Sequence, residues 1–164
     1  MSDSSAIKIT CIIVDDEPHA RQAMLRALEP HDNLQVLAEC ENGLEAVKAV
    51  HEHQPQLMFL DIHMPKLDGF DVLDLLGPQA PKVVFITAYD EYAVKAFEAN
   101  AIDYLLKPLD PARLNQCIDK IYLRVSQVQE IAEVESGDES LEGKNLEEKD
   151  SSNAIAELVK LIMK

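Results

Sequence analysis

Three carboxylates stand in a row at Asp15, Asp16 and Glu17, directly behind the apolar residues 11–14 and directly before Pro18. Adjacent acids repel and raise one another's pKa unless a cation or fixed donors lie close by. The cluster therefore either points into water or binds a metal, and a hard divalent cation with oxygen ligands is the metal such a site would take. A structural role accounts for part of it. Proline is favoured at the first helical position and acids sit well at the positive end of a helix, so Asp16 or Glu17 suits a cap ahead of Pro18. One acid would be enough for that.

The elements that must carry these groups are legible as alternating patterns. Short, nearly continuous apolar runs at residues 7–14, 34–40, 57–60, 82–87 and 101–106 have the character of strands buried on both faces of a parallel sheet. Between the first two, Ala20, Ala23, Met24, Ala27 and Leu28 recur at helical spacing. Leu44, Val47 and Val50 outline a second helix, Phe70, Leu73 and Leu76 a third, and Ala93, Ala96 and Phe97 a short fourth. Asp110 and Pro111 open a fifth, with Leu114, Cys117, Ile118, Ile121 and Val125 as its apolar stripe. Five such units predict an open, doubly wound α/β sheet.

In such sheets functional groups gather outside the C-terminal ends of the strands. The first strand ends in Asp15 and Asp16, the third in Asp61, the fourth in Thr87 and the fifth in Lys107, followed by Pro108. All five polar side chains are thus predicted on one edge. Asp68, before Gly69, is better placed as the start of the third helix, and the His-Glu-His run at 51–53 as a solvated helix end away from the acidic edge.

Composition narrows the function. Thirty acids against fifteen bases give a net charge of −15, which disfavours binding of nucleic acid or an anionic membrane by this chain alone. Residues 1–8 have neither a basic nor a long apolar character, and no run approaches a membrane span, so a cytoplasmic location is expected. Cys11, Cys40 and Cys117 are odd in number and embedded in apolar segments, as reduced core thiols are.

The motifs "VDDEP", "LDIHMPKLDGF", "FITAYD" and "YLLKP", in that order, resemble those of two-component response-regulator receiver domains over residues 7–124. The segment "YAVKAFEANAIDYLLKPLD" further resembles the LytR/AlgR type, in which a LytTR DNA-binding domain follows the receiver. The resemblance implies a flavodoxin-like five-stranded parallel sheet of order 2-1-3-4-5 with five helices. Phosphoryl transfer calls for positioning and charge neutralisation, which a carboxylate nucleophile and a bridging divalent cation supply. On that chemistry Asp61 is the phosphoacceptor, and Asp15, Asp16 and Asp61 hold Mg²⁺ or Mn²⁺. Lys107 and Thr87 face the phosphoryl oxygens. The family pattern adds the backbone carbonyl of His63 as a metal ligand, Tyr104 as a switch aromatic moving in concert with Thr87, and a cis bond before Pro108. It also implies a sensor histidine kinase as donor, and self-catalysed phosphorylation and dephosphorylation rather than enzymatic turnover. Tyr92, Ala93, Ala96 and Phe97 crowd apolar side chains onto the short fourth helix, a patch that predicts a phosphorylation-dependent homodimer through the fourth helix, fifth strand and fifth helix. DNA is then a partner of the intact regulator only.

Two other classes fit less well. A stand-alone receiver would act as a phosphoryl relay or protein-binding switch. A magnesium-dependent phosphohydrolase of the haloacid-dehalogenase type needs a second Asp two residues after the nucleophile, where this chain has His63. Beyond the receiver, residues 125–152 are expected to form an acidic, largely disordered linker, with nine acids and two lysines between 126 and 150. Ile155, Leu158, Val159 and Ile162 then share one face of a short amphipathic helix over 153–164, or open a truncated downstream region.

Overall fold

A computed structural model of the chain describes the backbone of residues 8–137 and the side chains of residues 8–126. The chain alternates β1 (Ile9–Val14), α1 (Pro18–Leu28), β2 (Leu34–Cys40), α2 (Gly43–His53), β3 (Leu57–Leu60), α3 (Gly69–Leu76), β4 (Lys82–Thr87), α4 (Ala93–Glu98), β5 (Asp103–Leu106) and α5 (Pro111–Gly137). The strands pair in parallel in the order β2-β1-β3-β4-β5. The strand and helix periods predict such a doubly wound sheet, and its order is the flavodoxin-like one that the family resemblance implies.

Alternation along the strands divides the core. Ile12, Val14, Met58, Leu60, Val83 and Phe85 join one cluster with Ala46 and Val50 of α2, Phe70 and Val72 of α3 and Ala96 of α4. Cys11, Leu57, Phe59 and Val84, on the intervening positions, are equally buried. Each fully buried large side chain contributes about 1.5–3 kcal/mol relative to exposure.

Three helix starts follow local chemistry. Glu17 precedes α1 in extended conformation but makes no side-chain cap bond, so Pro18 at the first position carries the start. Asn42 caps α2 by accepting the Glu45 N–H at 2.8 Å, while the Glu45 carboxylate accepts from the Glu41 N–H, also at 2.8 Å. Asp68 and Asp71 form a reciprocal capping box at α3, with bonds of 2.8 and 3.0 Å.

Several sequence expectations shift. The buried face of α2 is Gly43, Ala46, Ala49 and Val50, whereas Leu44 is 63% exposed. Small residues win that face because α2 sits close to the loop before α3: a Cβ on Gly43 would lie 2.8 Å from that of Leu67. Ala23 of α1 is exposed rather than buried with Met24 and Leu28. β5 starts at Asp103, although the Ile102 N–H still reaches the Val83 carbonyl at 2.8 Å.

The linker boundary also moves. α5 continues to Gly137, so residues 125–137 are helical rather than disordered. Between Pro111 and Gly137 the sequence contains neither Pro nor Gly, the two residues that break helices, and Gln127, Gln129, Glu130, Ala132, Glu133 and Glu135 are good helix formers, so helix propensity persists after the apolar period has faded. The remainder of the expected linker and the helix over 153–164 lie outside the described residues.

Candidate functional site

The site is built at the C-terminal ends of β1, β3, β4 and β5. Ladder bonds continued by one residue hold the strand ends in register: Asp15 N–H to the Cys40 carbonyl at 3.0 Å, Asp61 N–H to the Val14 carbonyl at 2.9 Å, and Lys107 N–H to the Thr87 carbonyl at 2.8 Å. These bonds stand Asp15, Asp61 and Lys107 over one point. The peptide bond between Lys107 and Pro108 is cis.

Lys107 Nζ donates to Asp15 Oδ2 at 2.7 Å and to Asp61 Oδ2 at 3.3 Å. Both carboxylates are 5% exposed. Asp16 is the most open of the three acids, and ligand atoms of Asp15, Asp16 and Asp61 all lie within 4.8 Å of one another. That arrangement fits a hard divalent cation, which takes oxygen ligands from a few carboxylates and completes its shell with water. His51 and His53 are exposed, as expected of a solvated helix end, and join no cluster of three metal-ligating side chains among the described residues.

Electrostatics agree with the geometry. Burial and the neighbouring Asp15 carboxylate push the Asp61 carboxyl up to about 6, against the opposing pull of Lys107 and of a hydrogen bond from the His63 backbone. Burial works against the Lys107 ammonium, but its hydrogen bond to Asp15 and the charges of Asp61 and Asp15 outweigh it and hold the amine above its ordinary value. A single cation thus serves two buried carboxylates.

Behind this centre, Gly69 brings α3 against the loop that leaves β3. Its N–H donates to the Ile62 carbonyl at 2.9 Å, and a Cβ there would lie 2.7 Å from the Asp61 carbonyl oxygen. A cleft of about 260 Å³ opens beside the acids, with Asp15, Asp61 and Lys107 at one end and Met24, Phe59 and Ile86 along its apolar wall.

Thr87 is fully buried, and its hydroxyl oxygen accepts the Tyr89 N–H at 3.4 Å. The Tyr104 hydroxyl donates to the carbonyl of the same Tyr89. Tyr104 is partly buried, and that burial raises its phenol pKa. The His63 ring packs edge-on against Tyr89 at 4.4 Å and Tyr92 at 5.1 Å between ring centres. The structure therefore brings Asp15, Asp16, Asp61 and Lys107 together, and sets Thr87, Tyr104 and His63 around Tyr89 beside them.

A model of the response regulator receiver domain matches residues 11–119. The chain belongs to the response regulator receiver family. Among curated relatives, the transcriptional regulatory protein BtsR of Escherichia coli is 45% identical over 114 residues, covering 69% of this chain and 48% of BtsR. An uncharacterized response regulatory protein of Vibrio cholerae is 51% identical over 115 residues, covering 68% and 44%. The chain thus spans about half the length of the curated relatives it matches. Among solved structures, the response regulatory domain of mrkE from Klebsiella pneumoniae aligns with a TM-score of 0.67 at 33% identity, over 73% of this chain and 99% of that one. The receiver domain of AraT from Geobacillus stearothermophilus aligns with a TM-score of 0.68 at 32% identity, over 75% and 99%.

The sequence reading passed over one residue of this receiver. Arg21, on the first turn of α1, donates from Nη1 to the Asp15 carbonyl at 2.7 Å, and its Nε lies 3.6 Å from Glu39 Oε1 on β2. Its only sequence signal is a cation six residues beyond Asp15, one turn after Pro18. Among the described residues, no helix is long and apolar enough to cross a membrane.

Proposed function

We propose that this receiver accepts a phosphoryl group on Asp61 from a sensor histidine kinase and passes the signal through the face formed by α4, β5 and α5. The observation that carries the reading is the convergence of two buried carboxylates, Asp15 and Asp61, on the one ammonium of Lys107, with Asp16 alongside. An Asp61 carboxylate oxygen attacks phosphorus, the bond to the donor nitrogen breaks, and the donor leaves with that electron pair. Lys107 balances the charge that develops on the phosphoryl oxygens, and Thr87 supplies a hydroxyl to them. Asp15, Asp16, Asp61 and the His63 carbonyl would hold Mg²⁺ or Mn²⁺, which when bound would neutralise phosphoryl charge. The domain acts on itself alone, and His63 stands where a dehalogenase-type phosphohydrolase would need its second Asp.

Switching rests on the bonds around Tyr89. Thr87 holds its N–H and Tyr104 its carbonyl, so a Thr87 drawn toward a phosphoryl group lets go of the loop that Tyr104 also grips. Phosphorylation then shifts the population between two arrangements of α4 and its surroundings. Phe97 is 84% and Val94 71% exposed on α4, apolar area suited to a two-fold homodimer. In a longer LytTR-type regulator that dimer would bring two DNA-binding domains onto paired half-sites and so control transcription. BtsR, by its name a transcriptional regulator of which the matched region makes up 48%, is the relative that supports this assignment. The location in keeping with a kinase partner is the cytoplasm.

Incubation with acetyl phosphate, followed by intact-mass spectrometry, tests the reaction. One added phosphoryl group is expected with Mg²⁺ or Mn²⁺, and none with chelator. Equal labelling in both conditions would remove the cation from the account.

A further inference from the structure

Every polar group of Asp15 is committed to a different partner. Its N–H donates to the Cys40 carbonyl at 3.0 Å, Oδ1 accepts the Glu17 N–H at 2.9 Å, Oδ2 accepts Lys107 at 2.7 Å, and its carbonyl accepts Arg21 Nη1 at 2.7 Å. The last of these bonds reaches beyond Asp15. The Asp15 carbonyl belongs to the peptide unit that joins Asp15 to Asp16, and a planar peptide fixes both flanking Cα atoms once its oxygen is held. An anchor on that oxygen therefore sets the direction in which Asp16 leaves the backbone.

Arg21 is itself held. Its side chain is 15% exposed, its backbone N–H bonds the Glu17 carbonyl at 3.2 Å, and Glu39 on β2 faces its Nε at 3.6 Å. A planar guanidinium can address a carbonyl with one edge and a carboxylate with another, which an ammonium cannot match in geometry.

We infer that Arg21, oriented by Glu39, is a positioning residue that aligns the Asp15–Asp16 pair for divalent cation. The inference deepens the proposed phosphoacceptor reading and rests on it. Partners of this kind, one shell behind the ligands, typically alter metal affinity 10–100-fold.

The test is calorimetric titration of the full chain with Mg²⁺, for wild type, Arg21→Ala, Arg21→Lys and Glu39→Gln, with thermal unfolding of each in chelator. Arg21→Ala is expected to bind Mg²⁺ about ten-fold more weakly. Arg21→Lys should recover part of that loss by restoring a donor to the carbonyl, and Glu39→Gln should show a smaller weakening. Millimolar methylguanidine should restore affinity to Arg21→Ala, a response that simple loss of stability would not give. If Arg21→Ala does not fold, the Glu39→Gln and Arg21→Lys affinities decide. Wild-type affinity in these variants, or a loss that follows unfolding temperature and ignores methylguanidine, overturns the role of Arg21 and leaves the phosphoacceptor reading intact. Failure of wild type itself to bind Mg²⁺ overturns both.

Discussion

Lys107 Nζ lies 2.7 Å from Asp15 and 3.3 Å from Asp61, so one ammonium is shared unequally by carboxylates from two strands that neighbour each other but not β5. Removing it leaves two buried acids facing each other, an arrangement that costs several kcal/mol unless another cation enters or a proton binds. Lys107→Ala should therefore show a larger rise in unfolding temperature on adding Mg²⁺ than wild type, while its phosphorylation by acetyl phosphate slows by about 10²-fold. Calorimetric scans with and without Mg²⁺ measure the first effect. An identical shift in the two proteins would mean that Lys107 does not balance these acids.

Gly69 offers a second, steric handle on the phosphoacceptor. A Cβ at this position would stand 2.7 Å from the Asp61 carbonyl oxygen, 3.1 Å from the Ile62 Cα and 3.3 Å from the Leu60 Cγ. Two of those neighbours are backbone, which yields least, so Gly69→Ala should destabilise by about 1–3 kcal/mol in urea unfolding. It should also slow phosphorylation by displacing the start of the loop. A variant as stable and as fast as wild type would show that the loop is slack.

Phosphoryl lifetime should depend on His63 and Tyr89, whose rings meet edge-on at 4.4 Å, each two residues beyond a strand-end site residue. On the proposed reaction they would together flank the approach of water in line with the aspartyl phosphate bond. Replacing both with alanine should shorten the half-life several-fold, read as decay of the phosphorylated mass after donor is removed. An unchanged decay rate would assign the route of water elsewhere.

The thiols give a prediction independent of signalling. Burial pushes Cys11 up to about 12 and Cys40 up to about 11, so at pH 8 both are protonated, and the thiolate is the nucleophile. Iodoacetamide should leave Cys11 and Cys40 unmodified in the native protein and alkylate both in urea. Rapid native alkylation of either would show that β1 or β2 opens readily.

The dimer prediction turns on Phe97, which is 84% exposed, whereas Lys95 is occupied over the Phe70 ring at 4.3 Å. Sedimentation should show a larger mass with beryllofluoride for wild type and no such gain for Phe97→Asp. A mimic that leaves the wild-type mass unchanged would confine the switch to a single chain or to another partner.

The fold was largely legible in the sequence because strands buried on both faces read as unbroken apolar runs, and Asp68 and Pro111 mark helix starts by local chemistry alone. The acidic edge was legible because the topology rule places strand ends together whatever the packing. What escaped depends on through-space geometry. The close approach at Gly43 turned the face of α2 away from Leu44, and persistent helix propensity carried α5 to Gly137 after its apolar period ended. Arg21 escaped because its partner is a backbone carbonyl, and no spacing of side-chain types announces a bond to backbone.

The central claim is that Asp61 is the phosphoryl-accepting carboxylate, and the most direct measurement is intact-mass spectrometry of wild type and Asp61→Asn after acetyl phosphate with Mg²⁺. Asparagine keeps the shape of the side chain and removes its charge and nucleophilicity. The account predicts one added phosphoryl group on wild type and none on the variant over the same time. A variant that gains the group at the wild-type rate would contradict the account and move the phosphoacceptor away from Asp61.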